Sequence, residues 1–513
     1  MAIMSATDGY LLLAAFFVAM IALTYAFARK QEDTREEFLV ARRNIPWFLG
    51  GASIAASWIW AGALFVSTQK TYEMGLAGLF WFTVPNVIAL LIFSCMGPKI
   101  RERFDRGFTL PQYIGHMLGS ACVHRLYLIP FFFGQMIAIT FNVFAGATVM
   151  SFLTGIPVVI SMPILAFIAL SYTLISGIRA SIVTDFVQLA MILGGMLLIV
   201  PWTVMAAGGL DAILPGVNGV MGTAGIFDPS VAFGFGIVTS IGLISQTISD
   251  QQYWQRVFSI GKKELPKAFA AGALLFALVP LGMGTLGFIA ANPASGVTLP
   301  EGTDASMIGV ATVGKFLPDW VMAVFVVMLL AGLSSTVDSG ISAASSLWTT
   351  DVAKYNEQER RIIAMELNGV SLACEDLPVA ALLEKRAVKE TRKAMVGITL
   401  VGLAVAYASH FIAGFGLSQL FLMAISIAAS ISVPTVLSLY WGGLRARGVL
   451  LGSGIAILAG MPAFIYFNYQ NNSTMIVASS VFMLAASAAG CLLEPRLERF
   501  WVGWKDFVNK SKW

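Results

Sequence analysis

Few residues in this chain can handle ions or polar solutes, and most of them sit inside apolar runs. Asp185 begins one such run, Asp250 lies near the end of another, and Asp338 lies well inside a third. Ionised groups within a bilayer are costly and usually mark a pathway. These acids are too few for a channel ring and enough for one or two cations. Lys70 and Glu73 sit at the mouth of a span. Around Asp338, residues Ser335, Asp338, Ser342 and Ser345 fall at i, i+3, i+7 and i+10, one helical stripe. Sodium is a hard cation that takes several oxygens. Adjacent hydroxyls, with carbonyls freed by a broken helix opposite, supply them. Small hydroxyl residues also let helices pack closely, and the stripe alone does not separate the two uses.

Three other segments carry polar groups. Around Ser57 and Gly62 small residues crowd a span that also holds Trp58 and Trp60. A helix can unwind there only where its backbone faces protein or water. The two tryptophans lie mid-span, where they either wall a solute cavity or anchor the chain to the membrane. Ser245 to Arg256 is a polar run containing Gln246, Ser249 and Asp250. It suits a water-lined inner pathway or an ordinary helix exit. Gln135 and Asn142, seven apart, share a face and meet either a solute or another helix.

These residues need a scaffold, and composition says which. Of 513 residues 58% are hydrophobic and 12% charged, against about 25% charged in soluble domains. That excludes a water-soluble globule, a disordered chain, a disulfide scaffold and a nucleic-acid binder. The reading is an all-α polytopic membrane protein. Spans of about 20 apolar residues are predicted at 9–28, 48–70, 75–97, 126–153, 157–177, 182–206, 230–254, 267–291, 319–347, 394–413, 418–441, 448–468 and 474–493, thirteen in all. The start, Met1 to Leu13, lacks the basic stretch of a signal peptide, so the first run reads as a retained helix. Cys95, Cys122, Cys374 and Cys491, and His116, His124 and His410, form no disulfide or zinc pattern.

Charge placement fixes the expected orientation. With the N-terminus outside, Arg29, Lys30, Arg35, Arg42, Arg43, Lys99 to Arg106, Arg125, Arg179, Arg256 to Lys267, Lys354 to Lys393, Arg445, Arg447 and the C-terminal bases are all cytoplasmic. Of 32 Lys and Arg only Lys70 and Lys315 fall outside. The stretch 355–393 reads as a cytoplasmic connector with amphipathic pieces at Arg360–Leu367 and Ala380–Val388.

Ser176 to Gln188 resembles the GG-x-x-A-x-x-x-TD-x-x-Q signature of the sodium–solute symporter family, with Ser176 for the first glycine. Phe38 to Pro46 resembles that family's F-x-x-G-R-x-x-P loop, with Ala41 for glycine. Gln251 to Arg256 and Ser335 to Asp351 also match, and the likeness covers nearly the whole chain. The resemblance implies a LeuT-like fold of 5+5 inverted repeats. The expected divisions are a leading helix and loop (1–47), a first repeat (48–206), a second repeat (230–441) and two trailing helices (448–513).

It also implies a sodium site of Ala56 and Ile59 carbonyls with Gly332, Ser335 and Thr336. Asp185 matches an acid on an additional sodium site or exit path. Asp338 stands where many members are neutral, so it is either a second cation ligand or a satisfied buried acid. Trp58, Trp60, Gly78 to Phe82 (with Trp81 and Phe82) and Asp250 to Trp254 resemble the urea-transporting branch. Trp58 and Gln246 stand where the sugar branch recognises hydroxyls. The implied function is sodium-coupled import of a small polar solute through the plasma (inner) membrane, with solute, sodium and lipid as partners and no required protein partner. Nucleobases, amino acids, sugars and carboxylates stay open as solutes, and protons as the coupling ion. A transport-fold sensor or receptor is the rival class. No nucleophile–base pair or metal constellation suggests an enzyme.

Overall fold

The computed structural model describes residues 4–28, 34–175, 177–370, 372–373, 376–412 and 416–510, with side chains through 493. Arg29, Lys30, Ser176 and Cys374 lie outside the described residues. Every regular element there is helical. Twelve stretches are long and apolar enough to cross a membrane. One of them, Gly62–Arg103, turns sharply at Gly75 (φ +60°, ψ −140°). A β-carbon at Gly75 would lie 2.0 Å from the Val217 carbonyl. Only glycine tolerates that left-handed turn under a packed loop. The loop seals the turn, with Leu76 N–H bonding Val217 O at 2.8 Å. Residues before Gly75 complete a span that starts at Trp47, and residues after it form the next. The thirteen-span reading rests on that turn.

Two spans are broken. Span 2 runs as Trp47–Trp58, loses helical form at Ile59 and Trp60, and resumes as a wide turn over Gly62–Val66. Span 7 ends its first helix at Ile248 and restarts as Gln251–Ser259. Breaks inside a bilayer persist only where protein or water satisfies the freed backbone groups. Both breaks are buried. Asn142 Oδ1 accepts the Ala61 amide at 2.9 Å. Asp250 caps the second half of span 7 through the Gln252 amide at 2.8 Å, and Trp254 Nε1 donates to Ile248 O at 2.7 Å. Gln135 and Asn142 therefore bond to helix ends in this conformation, since Gln135 Nε2 donates to Asp250 Oδ1 at 2.6 Å.

The helix Gln251–Ser259 is not an exit into solvent. All nine residues are buried. Its C-terminal end is capped by Arg101, whose guanidinium donates to the Val257, Phe258 and Ile260 carbonyls. Ile45, just before span 2, pairs in strand fashion with the chain leaving this helix. Ile45 N–H bonds Ser259 O at 3.1 Å, and Gly261 N–H bonds Ile45 O at 3.0 Å.

The connector departs from expectation. Glu357–Leu367 is a separate helix opened by an Asn356/Glu359 capping box. Ala380–Val388 is no free amphipathic piece; it is the first part of span 10, a continuous helix Leu377–Phe411. The connector also docks. Arg35 bonds Glu384 through its amide and Glu366 through its guanidinium. Arg43 donates to the Gly107 and Arg106 carbonyls and to Glu36. Burial lowers the Arg43 guanidinium to about 10. These contacts close one face of the molecule over spans 2, 3, 9 and 10.

Candidate functional site

The site forms where the break in span 2 meets span 9. Ile59 stops the helix with ψ +70°, and its carbonyl turns sideways. Gly332 brings span 9 within reach, for a β-carbon there would lie 3.2 Å from Ile59 O. Thr336 Oγ1 then sits 3.3 Å from Ser57 O, 3.5 Å from Ile59 O and 3.3 Å from Gly332 O. The Ala56 carbonyl is half engaged, accepting the Ile59 amide at 3.2 Å. A hydroxyl beside carbonyls at a bent helix end gathers oxygens of the kind that coordinate cations in discontinuous helices.

Ser335, the adjacent hydroxyl, donates to Asp185 Oδ1 at 2.5 Å. Asp185 Oδ2 accepts Ser53 Oγ at 2.6 Å and Arg256 Nη2 at 3.0 Å. Asp185 and Arg256 are both 0% exposed. Sequence reasoning grouped Arg256 with the cytoplasmic bases. The structure corrects this: Arg256 is a buried ion-pair partner. A helical wheel from Asp250 onward would have shown Gln252 and Arg256 on one face, four apart. Ser53 and Ser339 were likewise missed. Ser339 Oγ accepts Arg256 Nη2 at 2.7 Å, lies 3.0 Å from Ser57 Oγ and donates to Asp338 Oδ1 at 3.2 Å. Asp338 is 1% exposed, and its Oδ2 has no protein partner. Further along span 9, Ser342 takes a bond from Gln255 Nε2 at 3.3 Å, and Ser345 Oγ donates back to Ser342 O. The serine stripe thus faces the second half of span 7.

Next to the break lies a buried aromatic cluster. Trp58 and Trp60 stack with centroids 5.7 Å apart. Tyr253 meets Trp58 edge-on at 5.1 Å, and Phe141 meets Trp60 at 5.2 Å. Phe421 lies 5.4 Å from Trp60 and stacks on Phe82 at 5.8 Å. Several polar tips here are buried without a protein partner: Trp58 Nε1, Trp60 Nε1, Tyr253 OH and, one turn before the span 7 break, Gln246 Oε1. Leaving such a group unpaired costs about 1–3 kcal/mol. Ser249 donates to Ala428 O at 3.3 Å. Trp81 is not brought here. It is half-buried beside Phe80 and Phe227, and its Nε1 donates to Ile226 O at 2.9 Å. Its place next to Phe82 in the sequence put it on the other face of the helix. Beyond Phe421 a vestibule of about 220 Å³ opens, lined by Lys70, Ser418, Gln419, Asn468 and Asn471 among others.

A helical membrane protein with two discontinuous spans, one broken beside an oxygen cluster and a group of buried aromatic rings, has the architecture of secondary transporters. The family profile of the sodium:solute symporter family matches residues 38–374, and the chain belongs to that family. Among its relatives are the urea active transporter of Saccharomyces cerevisiae (24% identical, 66% of this chain, 50% of that protein) and the urea-proton symporter DUR3 of Oryza sativa (23%, 91% of this chain, 67% of that protein). The sodium/pantothenate symporter of Haemophilus influenzae is 22% identical over 94% of this chain and 96% of its own. The chain spans about half the length of the yeast urea transporters it matches. A solved Na+-coupled sialic acid symporter, in a substrate-bound outward-open state, superposes with a TM-score of 0.71 at 15% identity. That match covers 94% of this chain and 97% of that one, which shows the shared LeuT-like fold.

Proposed function

We propose that the protein is a sodium-coupled symporter that imports a small neutral polar solute, urea or a similar small amide, by alternating access. The observation that carries the reading is the Thr336 hydroxyl set among the Ser57 and Ile59 carbonyls at the break of span 2 and the Gly332 carbonyl of its own helix, beside a cluster of unpaired polar tips. Ala56, Ile59, Gly332, Ser335 and Thr336 hold sodium and so tie span 2 to span 9. Indole and phenol donors meet the solute carbonyl, and Gln246 Oε1 takes an N–H. Trp58, Trp60, Phe82 and Tyr253 wall the cavity, while Ser57, Gln135, Asn142, Ser249 and Asp250 hold the two breaks open around it. A ligand shifts an equilibrium only by its differential affinity for the two states. Sodium and solute couple because both require the break of span 2 in one position.

The repeats are read as 48–206 and 230–441, each opening on a broken span, with 1–47 leading and 448–513 trailing. Base placement orients the Arg35–Glu366–Glu384 face to the cytoplasm, the vestibule at Lys70 outward, the N-terminus outside and the C-terminus inside, in the plasma (inner) membrane. Proteoliposomes test the function. Radiolabelled urea should accumulate with an inward sodium gradient and not in choline buffer. A second reading, proton coupling, is favoured by the relative named a urea-proton symporter. Accumulation in choline that a protonophore abolishes would select it. Binding without flux would point to a sensor.

A further inference from the structure

The buried guanidinium of Arg256 touches four oxygens from four different positions in the fold. Nε donates to Ser53 Oγ at 3.0 Å on span 2, and Nη1 to Gln252 O at 3.1 Å on the second half of span 7. Nη2 donates to Asp185 Oδ2 at 3.0 Å on span 6 and to Ser339 Oγ at 2.7 Å on span 9. One carboxylate, two hydroxyls and one carbonyl, gathered around one guanidinium, are oxygen types that also ligate a small hard cation. All four residues are buried. The other buried acid of this helix, Asp250, does not compete for the guanidinium; its carboxylate is engaged by the Gln252 amide and Gln135.

We propose that Arg256 is a built-in cation occupying a second ion site formed by Ser53, Asp185, Gln252 and Ser339, so that Asp185 takes no transported ion of its own. This reading builds on the sodium-coupled function without depending on it. A tethered guanidinium cannot leave, so it supplies the positive charge that Asp185 requires at every stage of the cycle. It also sits two hydrogen bonds from Ser335, because Asp185 accepts from both Arg256 and Ser335. Arg256 is therefore a positioning residue. It holds the carboxylate that orients Ser335, and it fixes the number of mobile cations.

The test counts radiolabelled sodium bound at equilibrium to the purified full chain. Arg256→Ala removes the guanidinium and leaves a space ringed by those oxygens. It should bind one more sodium per chain than the wild type, and sodium over choline should raise its thermal midpoint more than it does for the wild type. Asp185→Asn added to Arg256→Ala removes the carboxylate, and the count should return to the wild-type value. Arg256→Lys keeps a tethered cation and should also keep that value. A folded Arg256→Ala that binds no extra sodium overturns the proposal. If Arg256→Ala does not fold, an Arg256→Lys protein that gains a sodium overturns it equally. A wild type that binds no sodium, beside an Arg256→Ala that binds one, would remove the sodium-coupled function and leave this inference standing.

Discussion

Thr336→Val is the sharpest single perturbation of the coupling site. Valine keeps the branched shape and exchanges only the hydroxyl for a methyl. The hydroxyl's protein contacts, at 3.3 to 3.5 Å, are at the weak end of hydrogen-bond geometry. Losing them should cost the fold only about 0.5 kcal/mol, the bottom of the usual net range. For this chain that moves the thermal midpoint by about 2 °C or less. An oxygen dipole facing a cation is worth more, comparable to a hydrogen bond to a charged group at about 1.5–3 kcal/mol. At 1.4 kcal/mol per tenfold, the sodium concentration for half-maximal uptake should rise roughly 10- to 150-fold. The assay is initial uptake of radiolabelled solute into proteoliposomes against external sodium, with the melting curve measured in parallel. An unmoved sodium midpoint in a protein of unchanged stability would refute the placement of the ion at Thr336.

Trp58→Ala should weaken solute binding by at least about tenfold, as expected for loss of roughly 1.4 kcal/mol or more of contact, with sodium binding nearly intact; isothermal titration of both ligands checks the split, and equal losses would mean a folding defect. Asn142→Leu leaves the Ala61 amide at the span 2 break unsatisfied and should cost about 1–3 kcal/mol, read as a fall in thermal midpoint larger than that of Thr336→Val. Asp228, in the loop before span 7, is held below the ordinary carboxylate value of 3.8 by the Ser230 hydroxyl and the Ala224 and Ser230 amides. An acid depressed by folding stabilises above its unfolded value and loses that contribution as the pH falls through its folded one. Asp228→Ala should therefore make the loop more open to limited proteolysis at neutral pH, with the difference from wild type vanishing in strong acid.

Apolar runs of bilayer length are dictated by the thickness of hydrocarbon they must cross, which is why the spans were legible almost residue by residue. The exceptions have physical causes. The apolar length of span 10 conceals a polar first half that is equally helical. The expectation of a sodium site came from the resemblance, because the stripe of serines alone fits packing as well as coordination. Arg256 was misplaced because a basic residue near other bases reads as a loop. Its burial depends on Asp185, 71 positions away, and nothing local announces such a partner. For Asn142 the sequence offered a bond to another helix but not its partner, since the amide it satisfies lies 81 positions earlier. Trp81 entered the expected site through the likeness to the urea-transporting branch, and it lies instead beside Phe80 and Phe227.

The strand-like pairing of Ile45 with Ser259 and Gly261 binds the root of span 2 to the tail of the second half of span 7. Neither inner half-helix can swing without dragging the other, as two leaves of a door hung on a common pin must turn together. Under the proposed alternating access, that backbone tie couples the release of the ion to the release of the cargo.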